Sequence, residues 1–215
     1  VQPMRKSKPL TAKVYDEVYS DIINGNYGAQ DIITESALVQ RFEVSKSPVR
    51  EALLQLCNED VLRVIPRLGY MVVQITPSEV RELTELRSLL ELHMLEKGFP
   101  LLTGDEIAEL EGLNERNLKE IEVHYSPMDN WQRNMKFHLK LASYAKNVTM
   151  FSHLEQVLRK LTRATTQHFS GYEKDDPIFR ERSSSRSHIR LVEALRNQDL
   201  ASARQSLEED INTIW

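Results

Sequence analysis

The strongest constraint on the fold lies in residues 42–56, FEVSKSPVREALLQL, where a proline stands inside the start of a helical pattern. The apolar residues of this pattern follow the i, i+3, i+4, i+7 spacing of one buried helix face: Val49, Ala52, Leu53 and Leu56. Pro48 suits such a helix only in the first turn, because the N–H groups there have no intrahelical partner. The helix is therefore predicted to begin near Ser45, a residue type favoured at the N-cap.

The first turn of this helix carries the chemistry of an anion-binding or base-reading surface. Lys46 and Arg50 are four residues apart and flank the apolar stripe beside Ser47. Free backbone N–H groups, two cations and a hydroxyl at one helix start suit contact with phosphates and base edges. Taken alone, such a helix is more often a capped surface helix with solvated charges, so the neighbouring elements decide.

The flanking segments predict a winged helix-turn-helix. Residues 11–24 have the apolar spacing of a helix, and residues 34–42 form a second short helix before the tight turn. Residues 61–75 change to β-branched and aromatic residues around Pro66–Gly69, which indicates strand, turn and strand. Arg67 and Gly69 lie at the tip of this hairpin, where a wing would contact DNA. This order of elements favours the DNA-binding interpretation.

A second domain is predicted to begin at residue 76. From there to residue 215 only helical periodicity is found, and Thr103 with Glu106 has the spacing of a capping box. The breaks between helices are predicted at five places: residues 98–100, 126–127, near 147, 171–177 and 197–199. The fold class is therefore mainly α, with a winged helix-turn-helix of three helices and a hairpin in residues 1–75. Residues 76–215 are expected to form a bundle of about six helices.

Four polar residues of the second domain form two pairs by their spacing, and one pocket could collect all four. Asn134 and His138 are four apart and share one helix face. His188 and Asp210 lie at equal distances along the chain from residue 199, inside a predicted turn. In an antiparallel helix hairpin such residues lie at the same height, so they can meet.

Composition limits the remaining alternatives. The single cysteine, Cys57, excludes an internal disulfide and favours a reduced compartment; it is interpreted as a small core residue. With no signal peptide or membrane-length apolar run recognised, the protein is expected to be cytoplasmic and to have no membrane partner. The net charge is −4, and residues 1–75 carry equal numbers of basic and acidic residues. DNA binding is thus inferred from local geometry and not from a basic surface.

The N-terminal segment closely resembles the winged helix-turn-helix of the GntR family of bacterial transcription regulators. The resemblance rests on ESALVQRF, VSKSPVREALLQL and VIPRLGYMV and covers residues 11–75. It implies DNA contacts from Lys46, Ser47 and Arg50, with Arg67 and Gly69 at the wing. The family often has arginine where Ser36 stands, and Lys46 replaces a frequent arginine. Since lysine cannot form the same bidentate fork to guanine, a different operator preference is expected.

Residues 79–215 resemble, more loosely, the all-helical ligand-binding domain of the FadR branch, the FCD domain. The resemblance rests on ELRSLLE, NMKFH and the hairpin sequence SHIRLVEALRNQDLASARQSLEEDI. Many members bind a divalent metal through an aspartate and three histidines, at the places occupied here by Asn134, His138, His188 and Asp210. Asparagine thus stands for the usual aspartate, and aspartate for the last histidine. Two histidines and one carboxylate still suit Zn, Ni or Mn, with Asn134 a weak ligand or none.

Arg87, in ELRSLLE, would point into the same bundle by match to the family. There it could receive an anionic effector in bidentate fashion. The alternative is a surface arginine paired with Glu91 one turn later.

The expected function is a homodimeric transcription regulator, acting as a repressor on a pseudo-palindromic DNA operator. A small organic or sugar acid bound in the helical domain would control operator binding. Two alternatives are a helical-bundle metalloenzyme and a regulator whose second domain only dimerises. Turnover of a ligand would favour the first alternative, and the absence of metal would favour the second.

Overall fold

The computed structural model describes residues 9–123, 127–169 and 185–213. The chain divides into two compact units. Of the described residues, one unit comprises 9–75 with 166–169, and the other comprises 76–123, 127–165 and 185–213.

The first unit contains three helices and a small antiparallel sheet. The helices are α1 (Leu10–Ile23), α2 (Glu35–Phe42) and α3 (Lys46–Asn58); the strands are β1 (Ile32–Ile33), β2 (Leu62–Ile65) and β3 (Gly69–Val72). The sheet order is β1-β3-β2, with Ile33 opposite Tyr70 and Val64 opposite the same tyrosine on the other side. The predicted three helices and hairpin are confirmed. Strand β1 was not predicted, because two residues are too few to show an alternating pattern.

The tight turn between α2 and α3 follows from local backbone chemistry. The Thr34 hydroxyl accepts a hydrogen bond from the Ala37 N–H and caps the start of α2. Glu43 ends α2 in the left-handed region, with φ 54°. Ser45 occupies the N-cap position of α3 in an extended conformation, but its side chain makes no capping hydrogen bond. Pro48 is the third residue of α3, inside the first turn as predicted.

The core of the first unit is built on the predicted apolar face of α3. All four residues of that face are fully buried: Val49, Ala52, Leu53 and Leu56. They pack with buried residues of the other helices and of the sheet, including Val18, Leu38, Ile33, Leu62 and Val72. The opposite face of α3 is thereby held outward.

The second unit is helical throughout its described residues. Its helices are α4 (Pro77–Gly98), α5 (Gly104–Val123), α6 (Pro127–Ser143), α7 (Val148–Phe169), α8 (Ser185–Arg196) and α9 (Leu200–Thr213), with a 3₁₀ turn at Phe99–Leu101. The last four residues of α7 are grouped with the first unit. The described helices thus number six, as predicted. The predicted break at 171–177 lies outside the described residues.

Capping boxes begin two of these helices. Glu79 N–H donates to the Thr76 hydroxyl while the Glu79 carboxylate accepts from Thr76 N–H, and Thr103 and Glu106 repeat this exchange. The second of these boxes was predicted and is confirmed. The core of the unit is formed by α4, α5, α6, α8 and α9, with Leu95, Leu110, Phe137, Leu191 and Leu207 among its buried residues. None of the helices in the described ranges combines the length and hydropathy required to cross a bilayer.

Candidate functional site

The start of α3 presents the predicted DNA-contacting residues to solvent. Lys46, Ser47 and Arg50 are all exposed. Within the described part of the chain, neither Lys46 nor Arg50 forms an ion pair with an acidic side chain. Two cations at a helix start with no internal partner are available to an external anion. The geometry therefore suits the predicted contact with phosphates and base edges.

Ser47 differs from its two neighbours in already having a hydrogen-bond partner. Its hydroxyl donates to Oε1 of Glu51 at 3.1 Å, and Oε2 of the same carboxylate accepts from the Thr11 hydroxyl at 3.0 Å. Glu51 thus links α3 to α1 beside the exposed cations. For Ser47 to donate to a phosphate oxygen, its hydroxyl must first leave Glu51.

The two predicted wing residues have different structural roles. Arg67 is exposed in the turn closed by the hydrogen bond from Leu68 N–H to Ile65 carbonyl, and its φ is 66°. Gly69 has φ 136°, and a Cβ there would lie 2.5 Å from the Ile33 carbonyl oxygen. Only glycine fits at position 69, since both its backbone conformation and the approach of β1 exclude a side chain. Gly69 therefore shapes the wing, whereas Arg67 offers a cation at its tip.

The second unit brings His138, His188 and Asp210 together in its interior. Nε2 of His138 lies 2.7 Å from Oδ2 of Asp210, and Nε2 of His188 lies 3.3 Å from Nε2 of His138. The distance from His188 Nε2 to Asp210 Oδ2 is 3.7 Å. All three side chains are buried, and one ligand atom from each lies within 4.8 Å of the others.

The helix hairpin of α8 and α9 supplies two of these three side chains, His188 and Asp210. Gln198 adopts a positive φ of 56° in the turn, and Asp199 caps α9 by accepting from Ser202 N–H at 3.0 Å. The two helices run antiparallel from this turn, so His188 and Asp210 meet as their spacing predicted. Helix α6 supplies Asn134 and His138 from one face.

Asn134 lies at the edge of the cluster with its amide nitrogen turned inward. Nδ2 lies 3.4 Å from Oδ2 of Asp210 and 3.5 Å from Nε2 of His188. Its Oδ1 is buried and has no hydrogen-bond partner among the described residues. An amide nitrogen is a donor and cannot ligate a metal, but rotation of the amide by half a turn would direct Oδ1 at the same place.

His138 is held between two carboxylates. Nδ1 lies 2.5 Å from Oε2 of Glu91, and Nε2 faces Asp210. Burial alone would lower the pKa of His138, but the Glu91 charge and the hydrogen bonds to both carboxylates outweigh it and raise that pKa. For Asp210 burial acts in the opposite direction and would raise the pKa of the carboxyl group. The hydrogen bonds from the two histidines outweigh burial and hold the pKa of Asp210 below its usual range.

His188 is held differently from His138. Its ring stacks on Phe137 with 3.8 Å between centroids and 13° between planes. Burial lowers its pKa, and this effect exceeds the opposing influence of Asp210. A neutral imidazole oriented by an aromatic ring is suited to donate its nitrogen lone pair to a cation.

Arg87 and Glu91 complete the buried polar set. Nε of Arg87 lies 2.6 Å from Oε1 of Glu91, and both residues are buried. The pairing of Arg87 with Glu91 is therefore present, but the alternative that places this pair on the surface is wrong. The terminal nitrogens of Arg87 have no hydrogen-bond partner among the described residues. A buried guanidinium whose two terminal nitrogens lack partners among the described residues suits an anionic ligand. Sequence reasoning treated Glu91 only as a surface partner and missed its contact with His138.

The donor set fits a divalent metal ion. Two imidazole nitrogens and one carboxylate oxygen suit Zn, Ni or Mn, and their mutual distances allow one ion to contact all three. Oδ1 of Asp210 is also buried and lacks a partner among the described residues. Buried acceptors without donors are costly, and a cation would relieve that cost.

Comparison with known proteins assigns both units to families. The profile described as "Bacterial regulatory proteins, gntR family" matches residues 10–72, and that of the FCD domain matches residues 82–213. The uncharacterized HTH-type transcriptional regulator YdhC of Bacillus subtilis is 26% identical, covering 96% of this chain and 90% of its own. The gluconate operon transcriptional repressor of the same organism is 23% identical, covering 94% and 82%. These names describe regulators and not enzymes.

Two solved structures show the same fold. E. coli McbR/YncC superposes with a TM-score of 0.75 at 20% identity, covering 96% of this chain and 95% of its own. A putative transcriptional regulator GntR from Rhodococcus sp. RHA1 superposes with a TM-score of 0.65 at 20% identity, covering 95% and 98%. With an N-terminal gntR match and an FCD match over more than half of its length, the chain belongs to the GntR family of bacterial transcription regulators, in the branch that carries an FCD domain.

Proposed function

We propose that this regulator is a homodimeric repressor whose operator binding is controlled by a small carboxylate-bearing metabolite in the FCD domain. The observation that carries the proposal is the buried set of His138, His188 and Asp210 beside Arg87, whose terminal nitrogens have no partner among the described residues. A helical core without a ligand function would gain more from apolar residues at these positions, since unpaired buried polar atoms are costly.

The metal would be held by His138, His188 and Asp210, with Asn134 as a weak fourth ligand. When bound, a divalent ion would supply a positive charge and an open coordination position for a carboxylate oxygen. Arg87 would receive the other part of the anion through its terminal nitrogens. The effector class is therefore an organic or sugar acid; one relative is named for a gluconate operon, and gluconate is thus a reasonable first compound to test.

The operator would be read by two copies of the first unit. Arg50 and Lys46 lie at the exposed start of α3, and Arg67 lies at the wing tip. A two-fold symmetric dimer calls for a pseudo-palindromic site, because each half-site meets one recognition helix. Double-stranded DNA is the proposed macromolecular partner.

Fluorescence anisotropy with operator DNA tests the proposal on the full chain. Binding is measured with Zn, Ni or Mn, and with a panel of organic and sugar acids that includes gluconate. We expect at least one acid to change operator affinity in wild type, and to have no effect on His188→Ala, which should keep its DNA affinity. His153→Ala, which removes an exposed histidine of α7, is the matched control.

Two results would contradict this proposal. An acid that is consumed by the purified protein would restore the metalloenzyme alternative. Failure to take up any of the three metals at neutral pH would show that this is not a metal site. The four polar residues would then bind an organic ligand directly, or contact only one another as expected for a domain that merely dimerises.

A further inference from the structure

Glu91 contacts two different functional groups with its two carboxylate oxygens. Oε1 lies 2.6 Å from Nε of Arg87, and Oε2 lies 2.5 Å from Nδ1 of His138. The side chain is 2% exposed and lies on α4, whereas the three proposed metal ligands come from α6, α8 and α9. Glu91 is therefore placed behind His138, on the side of the ring that faces away from Asp210.

We propose that Glu91 is a positioning residue for the metal site, which orients the His138 ring and fixes its Nδ1 as the protonated nitrogen. The inference rests on the proposed function, because it concerns the same site. It adds a residue that would not contact the metal ion itself but determines which nitrogen of His138 can bind that ion.

The physical reason is that a neutral imidazole has one donor nitrogen and one acceptor nitrogen. A carboxylate only accepts, so the nitrogen facing Glu91 must carry the hydrogen. Without a metal, Nε2 also faces a carboxylate and donates to Asp210 Oδ2. A cation would displace this proton and not the one that Glu91 holds on Nδ1, so the Nε2 lone pair would then be directed at the place where His188 Nε2 and Asp210 Oδ2 converge. Metal-binding histidines commonly have such a hydrogen bond on the opposite ring nitrogen, and its loss typically weakens metal binding by about 10- to 100-fold.

Arg87 makes Glu91 a rigid support for His138. Because Nε of Arg87 occupies Oε1, the carboxylate can rotate away from His138 only by breaking a buried charged hydrogen bond. Both groups that donate to Glu91 require an acceptor, and a carboxylate satisfies the two at once. A glutamine at this position has only one acceptor oxygen, so its NH2 group must face either Arg87 Nε or His138 Nδ1. In the second case His138 would carry its proton on Nε2, which cannot then bind a cation.

The test compares Zn²⁺ affinity in full-length wild type and in Glu91→Gln, by competition with a chromogenic chelator. We expect Glu91→Gln to bind Zn²⁺ about 10- to 100-fold more weakly than wild type. Glu96→Gln is the matched control, since it removes a carboxylate from the exposed face of the same helix, and it should bind Zn²⁺ as wild type does. Equal affinities for wild type and folded Glu91→Gln would overturn the inference while leaving the metal site in place.

A second measurement does not depend on the folding of a variant. Long-range ¹H–¹⁵N spectra of Zn-loaded wild type should show His138 with a proton on Nδ1 and with zinc on Nε2. Zinc on Nδ1, or an unprotonated Nδ1, would overturn the inference directly. If wild type binds no Zn²⁺ at all, the metal proposal fails and this inference fails with it, so the two failures are distinguishable.

Discussion

Arg87 and Glu91 form an ion pair inside the FCD domain, with 2.6 Å between Nε and Oε1 and side-chain exposures of 0% and 2%. Removing one partner from a buried pair leaves an uncompensated charge, which typically costs about 3–5 kcal/mol of folding stability. We therefore expect Arg87→Met to lower the free energy of unfolding by about that amount in urea denaturation. Burial alone would raise the pKa of Glu91, but the charges and hydrogen bonds of Arg87 and His138 outweigh burial and lower that pKa.

The control for this first prediction is Arg190→Met. Arg190 also pairs with a glutamate, Glu209 at 2.7 Å, but both side chains are about half exposed. Its loss should cost less than about 1 kcal/mol. Similar losses for the two variants would show that the Arg87 pair has no special energetic weight.

Arg50 is expected to read a base, so Arg50→Ala should weaken operator binding by about 1–3 kcal/mol while affecting non-operator DNA less. Lys46→Ala is expected to weaken binding to all sequences alike and to reduce the salt slope by about one unit if it contacts phosphate. Anisotropy titrations at several salt concentrations measure both quantities. Arg159→Ala, an exposed arginine in the other unit, is the control for loss of charge. An unchanged operator affinity of Arg50→Ala at fixed salt would contradict its assignment.

Substitutions at the two wing residues, Arg67 and Gly69, should have different effects on stability and on DNA binding. Arg67 has a left-handed φ that glycine adopts at lower cost, so Arg67→Gly should change stability little and weaken operator binding. Gly69→Ala should instead destabilise the first unit, because its Cβ would meet the Ile33 carbonyl oxygen. Thermal unfolding and operator titration of both variants measure the difference. A large loss of stability in Arg67→Gly would mean that the arginine is structural.

Residues that repeat with a helical or hairpin spacing were predictable from the sequence. The buried face of α3 follows from the i, i+3, i+4, i+7 rule, and the meeting of His188 and Asp210 follows from their equal distances to one turn. These relations are local or span a single hairpin, so the spacing of the residues along the chain is enough to predict them.

The contact between Glu91 and His138 could not be predicted in this way. These residues lie 47 positions apart, on different helices that are not connected to each other by a short turn. Strand β1 likewise depends on residues far away in the sequence, since its two residues become a strand only by pairing with β3. The available signal for Glu91 was its spacing of four from Arg87, which suits a surface pair as well as a buried one.

The proposed metal site should bind its ion more tightly as pH rises. The pKa of His138 is raised, because the Glu91 charge and the hydrogen bonds to both carboxylates outweigh burial. His138 therefore keeps its proton to a higher pH than an ordinary histidine, and a metal ion must displace that proton. Zn²⁺ affinity should fall as pH decreases through the raised pKa, and by up to tenfold per unit below it. Calorimetry in two buffers measures the released proton, and a pH-independent affinity would contradict the expectation.

The identity of residue 134 should affect the same equilibrium. Asn134 contributes no charge and turns its amide nitrogen toward Asp210, so Asn134→Asp should bind Zn²⁺ more tightly than wild type. Gln132→Glu adds the same charge two positions away on α6 and is the control. If both variants gain affinity equally, the effect is long-range charge and not ligation.

The dimer is expected to form through the FCD domain, and α4 offers the surface for it. Leu86 and Leu89 are three residues apart on the outer face of this helix and are 44% and 64% exposed in the single chain. Adjacent exposed leucines on one helix face are suited to pack against a second copy, because burying the exposed part of each would contribute part of the about 1.5–3 kcal/mol that full burial of a leucine supplies. Leu89→Lys should therefore shift sedimentation equilibrium toward monomer and weaken operator binding, since each half-site would then be bound independently. Leu101→Lys replaces a leucine of similar exposure outside this face and should remain dimeric. If Leu89→Lys stays as dimeric as Leu101→Lys, the interface lies elsewhere on the protein.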